Sequence, residues 1–173
     1  MPPDILAVDF GTSNTAAAIL RQGQARRLRI EADAETLPTA VFFPTGGGRM
    51  QIGAAATEAL ISGEHGRYMR ALKSVLGLPL LHETRPIGGR QRTLAEVIAA
   101  FLAELRDRAE EQAGQRFRRV LSGRPVRFHS DDAAKDAKAE ADLHACYLAA
   151  GFDEVAFLAE PEAAAVACRG LGD

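Results

Sequence analysis

Asp9-Phe10-Gly11-Thr12-Ser13-Asn14-Thr15 is the stretch of this chain whose residue types are best suited to chemistry. A continuous apolar run, Ile5-Leu6-Ala7-Val8, precedes it and predicts a buried strand; a second run, Ala16 to Leu20, follows at once. The pattern is therefore strand, tight polar turn, strand. A turn built of Gly, Thr, Ser and Asn offers backbone N–H groups and short hydroxyls, and both suit phosphate oxygens. An acid at the end of the first strand can hold a hydrated Mg²⁺ beside them. The turn is not a P-loop, because it lacks Gly-Lys-Ser/Thr and is followed by a strand rather than a helix. By itself, a turn of this composition also serves an ordinary hairpin.

The elements that must position this turn are legible in outline. Arg26 to Ile30 alternates polar and apolar residues after a turn at Gln22-Gly23-Gln24, which predicts a third strand and an N-terminal β-meander. Residues 31–92 are punctuated by Pro38, Pro44, Gly46-Gly47-Gly48, Gly53, Gly77, Pro79 and Gly88-Gly89. They read as a small inserted α+β subdomain with short strands at Ala40–Phe43 and Met50–Ile52 and helical turns near Ala54–Ile61 and Gly66–Leu76. Leu94, Val97, Ile98, Phe101, Leu102 and Leu105 then recur at helical spacing between Thr93 and Gly114. Thr93 with Glu96 forms a capping box, and Gly114 suits the position just past the helix end. A strand over Arg119–Phe128 comes next. A helix capped by Ser130 or Asp131 then runs to Ala150, followed by a strand over Glu154–Leu158. Pro161 suits the first turn of a last helix opened by Glu160.

Composition excludes several classes of function. The chain has 173 residues with a formal net charge of −2, which gives no electrostatic footprint for nucleic acid. The basic runs Arg26-Arg27-Leu28-Arg29 and Arg116-Phe117-Arg118-Arg119 read as solvated strand and helix ends. Cys146 and Cys168 lie among alanines without metal-type spacing and read as small buried hydrophobes. Met1-Pro2-Pro3-Asp4 shows no basic region or signal-type apolar core and no run reaches membrane-spanning length, so a cytoplasmic protein without membrane contact is expected.

Three motifs occur in order: Asp9 to Thr15, Leu72-Lys73-Ser74-Val75-Leu76-Gly77, and Leu158-Ala159-Glu160-Pro161-Glu162-Ala163-Ala164-Ala165. Together they resemble the nucleotide-binding domain of DnaK-type heat-shock chaperones. With Gly123-Arg124-Pro125-Val126, the resemblance is nearest to the YegD-like branch and runs from Ile5 to about Gly170. It implies an α/β fold: one ribonuclease-H-like lobe of an actin-like ATPase, with a mixed five-stranded sheet. Residues 4–30 and 93–173 form the incomplete lobe and 31–92 the insertion.

The resemblance also implies roles. Asp9 holds Mg²⁺ through water, and Gly11, Thr12, Ser13 and Asn14 wrap the β- and γ-phosphates of ATP or ADP, with Thr12 counted among the catalytic groups. Lys73 reaches the γ-phosphate and the attacking water, and Glu160 positions that water. Pro125 corresponds to a family proline that relays between nucleotide site and peptide-binding domain. Two departures stand out: the family's Thr after Glu-Pro is Glu162, and its arginine five residues after Phe128 is Ala133.

Within these 173 residues no Asp-x-Gly-Gly-Gly-Thr second phosphate loop occurs, and the resemblance places the adenosine pocket and peptide-binding domain outside them. The expectation is a first lobe that binds ATP weakly alone and hydrolyses it only when joined to its second lobe. Unfolded clients and a co-chaperone or exchange factor are the implied partners. Two alternatives share the superfold: the lobe of a small-molecule kinase, and a non-catalytic actin-like interaction module.

Overall fold

The computed structural model describes residues 4–125, 127–128 and 132–159. Strands β1 (Ile5–Phe10), β2 (Asn14–Arg21) and β3 (Gln24–Arg27) form the antiparallel meander. Strands β10 (Arg119–Arg124) and β11 (Glu154–Ala159) add to β1 in parallel, in the order β11-β10-β1-β2-β3. This five-strand path carries a sixth strand, β4 (Thr36–Pro38), which pairs with the start of β2.

That attachment explains why β3 is shorter than the expected Arg26–Ile30 alternation. After Leu28 N–H donates to Ala17 O (2.9 Å), the next positions of β2 are already taken by β4. Leu28 and Ile30 turn into the core instead.

The remaining strands of the 31–92 segment form two small sheets. Strands β5 (Ala40–Pro44), β6 (Gln51–Ile52) and β7 (Gly66–Arg70) make one, covered by helix α1 (Ala54–Ile61). Strands β8 (Arg85–Ile87) and β9 (Arg90–Arg92) make a hairpin turned by Gly88-Gly89, both at positive φ. Gly66–Arg70 is thus strand, not helical turn. It pairs antiparallel along all of β5, and a Cβ at Gly66 would lie 2.4 Å from the Phe42 ring, so only glycine permits the approach. The helical part of 66–76 is confined to a 3-10 turn, Leu72–Val75.

Helix α2 (Leu94–Ala113) forms as its pattern predicts. Thr93 Oγ1 accepts from Glu96 N–H, Glu96 returns the bond to Thr93 N–H (2.6 Å), and Gly114 closes the end at φ +67. Helix α3 (Ala133–Ala149) is capped by Asp132 rather than by Ser130 or Asp131, which lie outside the described residues. The Asp132 carboxylate accepts from Ala134 N–H (3.0 Å) and Lys135 N–H (3.2 Å).

Both helices pack on the sheet face carrying Leu6, Val8 and Phe10, where Phe10 meets Phe101 at 5.8 Å. Leu37, Val41, Ile52, Leu76 and Leu81 of the 31–92 segment join the same core. No helix among the described residues is long and apolar enough to cross a membrane.

Two arginines of the second basic run form surface ion pairs. Arg118 reaches Asp153 at 2.6 Å, and Arg119 Nε donates to Asp4 at 2.8 Å. The Arg119 hydrogen bond holds the Asp4 carboxyl below its ordinary range. These pairs tie β1, β10 and β11 together at their amino ends, leaving the carboxyl ends for other work.

Candidate functional site

In an open parallel arrangement, ligands bind outside the carboxyl ends of the strands. Asp9 stands at that end of β1, one residue past Val8, which pairs with Ser122 of β10, which pairs in turn with Phe157 of β11. Strand alternation sends Asp9 to the face opposite the core, where it is exposed. Its neighbours there are small: Ala16 is its partner on β2, and Ala7 pairs with Ala18.

The turn that follows is tight. Gly11 N–H donates to Asn14 O (3.1 Å), and a Cβ at Gly11 would sit 2.3 Å from that same oxygen. Glycine is required by this close approach rather than by φ. Thr12, Ser13 and Asn14 are exposed.

Two contacts that local sequence does not reveal fix the turn. Thr39 N–H donates to Ser13 O (2.9 Å), and the buried hydroxyls of Thr15 and Thr39 meet at 2.7 Å. The 31–92 segment is thereby bolted to the turn at its first strand. Among the described residues no group of three or more His, Cys, Asp or Glu side chains converges on a metal position. A divalent ion held at Asp9 would draw its other ligands from water and phosphate oxygens, the coordination that Mg²⁺ favours. The donor set and the glycine cradle fit such an ion.

Lys73 is carried by the Leu72–Val75 turn and is half-buried. Ala71, just before it, adopts left-handed backbone (φ 55, ψ 35), an uncommon conformation for a residue other than glycine. Ser74 holds this geometry, its Oγ donating to Ala71 O at 2.6 Å. The Lys73 ammonium lies 5.9 Å from the Phe128 ring centre, in the segment that follows β10. The lysine is thus delivered near the carboxyl end of β10, the strand beside β1.

Glu160, Pro161 and Glu162 lie outside the described residues, as do Val126 and Cys168. The last described residue, Ala159, pairs with Arg124 at the end of β10. Strand β10 stops there, short of the Phe128 expected, because Pro125 has no N–H to continue a ladder. Ala133 is the first residue of α3.

Beneath β10, the buried Ser122 and Tyr147 hydroxyls meet at 2.8 Å. Burial pushes the Tyr147 phenol up, the Ser122 hydrogen bond opposes this, and the Asp9 charge adds to the rise. Burial also pushes the Cys146 thiol up to about 12, with the Asp142 charge a second cause. Both groups fold in their neutral forms. Their stabilisation is complete below their ordinary values, 9.0 for Cys146 and 10.0 for Tyr147, and is lost as pH rises towards the raised ones. Each group steepens the alkaline loss of stability by at most ~1.4 kcal/mol per pH unit. Urea unfolding between pH 9 and 11 is expected to show a shallower loss for Cys146→Ala than for the parent; equal slopes would contradict the assignment.

No protein-family model matches the chain. It is 27% identical over 163 residues to the chaperone protein DnaK of Metamycoplasma hominis, covering 94% of this chain and 25% of that protein. It is 28% identical over 164 residues to the chaperone protein DnaK of Thermosipho melanesiensis, covering 94% of this chain and 26% of that protein. The chain therefore spans about a quarter of the length of the curated relatives it matches. Along 94% of its length the chain is thus similar to a segment of two DnaK chaperones, and its sheet of parallel and antiparallel strands is consistent with that similarity.

Proposed function

We propose that the chain is the first lobe of an ATP-binding, ATP-hydrolysing DnaK-like chaperone, with residues 4–30 and 93–173 as the ATPase lobe and 31–92 as its insertion. The observation that carries this reading is the exposed Gly11–Asn14 turn, fixed by its own backbone and by Thr39, directly after Asp9 at the end of β1. The Gly11 N–H already donates to Asn14 O; the hydroxyls of Thr12 and Ser13 and the backbone N–H groups not used within the turn suit the β- and γ-phosphates. When bound, Mg²⁺ would neutralise phosphate charge; Asp9 holds its hydration shell. Lys73 serves as a compact point charge against the charge that develops on the transferred phosphoryl group.

Glu160, next in sequence after Ala159, orients the attacking water. If Glu160 opens the helix its sequence predicts, its carboxylate would be stabilised as the anion and would position water better than remove a proton. Phosphoryl transfer tolerates that division, because positioning and electrostatics dominate it. Unfolded client proteins and a co-chaperone are the partners this reading implies, in the cytoplasm. Nearness to the YegD-like branch is part of the same proposal.

Calorimetric titration of Mg-ATP into the chain alone, and into the chain joined to a second lobe, tests the reading. Binding is expected only in the joined protein, since one lobe supplies half the contacts. Micromolar binding to the chain alone would overturn the half-site, and binding to neither would overturn the ATP assignment.

A further inference from the structure

Asp142 sits in the middle of α3, only 9% exposed, between the buried Ala139, Leu143 and Cys146. A carboxylate on a buried helix face is costly unless both its oxygens are used. Here both are taken by one distant segment. Oδ2 accepts from Gly77 N–H at 2.9 Å, and Oδ1 meets His82 Nε2 at 3.1 Å. Gly77 lies so close to α3 that a Cβ on it would stand 2.7 Å from Lys135 O.

The held segment begins four residues past Lys73. Between them the chain has little freedom. Leu76 N–H donates to Lys73 O (3.3 Å) and Leu78 N–H to Val75 O (3.2 Å), while Leu72 and Leu76 are buried. Movement at Gly77 must therefore be passed to Lys73. We propose that Asp142 is a positioning residue for Lys73, gripping Gly77 and His82 so that the lysine-bearing turn keeps its place against α3 and beside Phe128. The catalytic meaning of that placement rests on the phosphate role proposed above for Lys73; the clamp itself does not.

Nuclear magnetic resonance on the chain without nucleotide separates the two. Three signals matter: the cross-relaxation between Lys73 Hε and the Phe128 ring, the exchange rate of the Gly77 amide, and the Gly11–Thr15 amide shifts. In Asp142→Leu, which removes both acceptors at similar volume, the Lys73–Phe128 contact is expected to disappear. Gly77 exchange should accelerate about tenfold or more, with the Gly11–Thr15 shifts unchanged. Asp142→Asn keeps an acceptor for Gly77 and an amide within reach of the His82 ring, so it should keep the contact.

Persistence of the contact and of Gly77 protection in Asp142→Leu would overturn the proposal. So would loss of all three signals together, which is general loosening. If Asp142→Leu does not fold, Asp142→Ser withdraws both oxygens from reach and is read by the same signals. An unchanged hydrolysis rate in Lys73→Ala would instead sink the ATPase reading while leaving the clamp intact.

Discussion

Gly77→Ala is expected to destabilise the chain by about 2–4 kcal/mol, the range of the most damaging small substitutions. Two costs add. Gly77 has φ +79, where a side chain is strained by roughly 1–2 kcal/mol. The new Cβ would also lie 2.7 Å from Lys135 O and 3.1 Å from Ala139 Cβ. Those atoms belong to a helix and cannot step aside as a flexible side chain could. The turn must back away from α3, and that movement lengthens the Gly77–Asp142 hydrogen bond.

A thermal midpoint lower by about 5–15 °C follows for a domain of this size. Gly46 is the control: its φ is unremarkable and nothing lies within 4 Å of a Cβ built there. Gly46→Ala should stay within about 0.5 kcal/mol of the parent. Equal melting of the two variants would show that the turn is not pressed against α3.

What the sequence reveals follows the range over which each feature is decided. Helix α2 is legible to the residue, because periodicity, capping box and terminal glycine all act within a few positions of one another. Strands β1 and β2 and the turn between them are legible for the same reason. Capping of α3 is not, because Ser130, Asp131 and Asp132 can each accept from a first-turn N–H, and local chemistry does not choose among them. Strand β7 is hidden because Gly66–Arg70 has no buried alternation; its pairing is dictated by β5, more than twenty residues earlier.

The candidate site divides in the same way. Asp9 and the Gly11–Asn14 turn announce themselves, being contiguous. Thr39 reaches the turn through Ser13 and Thr15, and Asp142 is 65 residues from Gly77. A threonine or aspartate of that kind reads as surface until the fold brings its partner.

On the role proposed for Lys73, Lys73→Ala is expected to lower ATP hydrolysis by the chain joined to a second lobe about 100-fold or more, while the folded chain barely changes. The magnitude is that of removing one preorganised charge from the site where charge develops. The insensitivity of folding has its own argument. Lys73 is half-buried, and its ammonium faces the Phe128 ring at 5.9 Å, an interaction worth about 0.5–1 kcal/mol. The turn around it is held by Leu72, Leu76, Ser74 and Gly77, none of which the substitution alters.

Lys73→Arg should not rescue the rate. A planar guanidinium is longer and presents its donors in a fixed fork, so it would lie against Phe128 rather than end in a compact charge. Single-turnover hydrolysis and urea unfolding, measured on the same preparations, separate the two effects. A rate within twofold of the parent would remove Lys73 from the chemistry. A large loss of stability in step with the rate would make it a packing residue, and the half-buried position of its stem would then need another explanation.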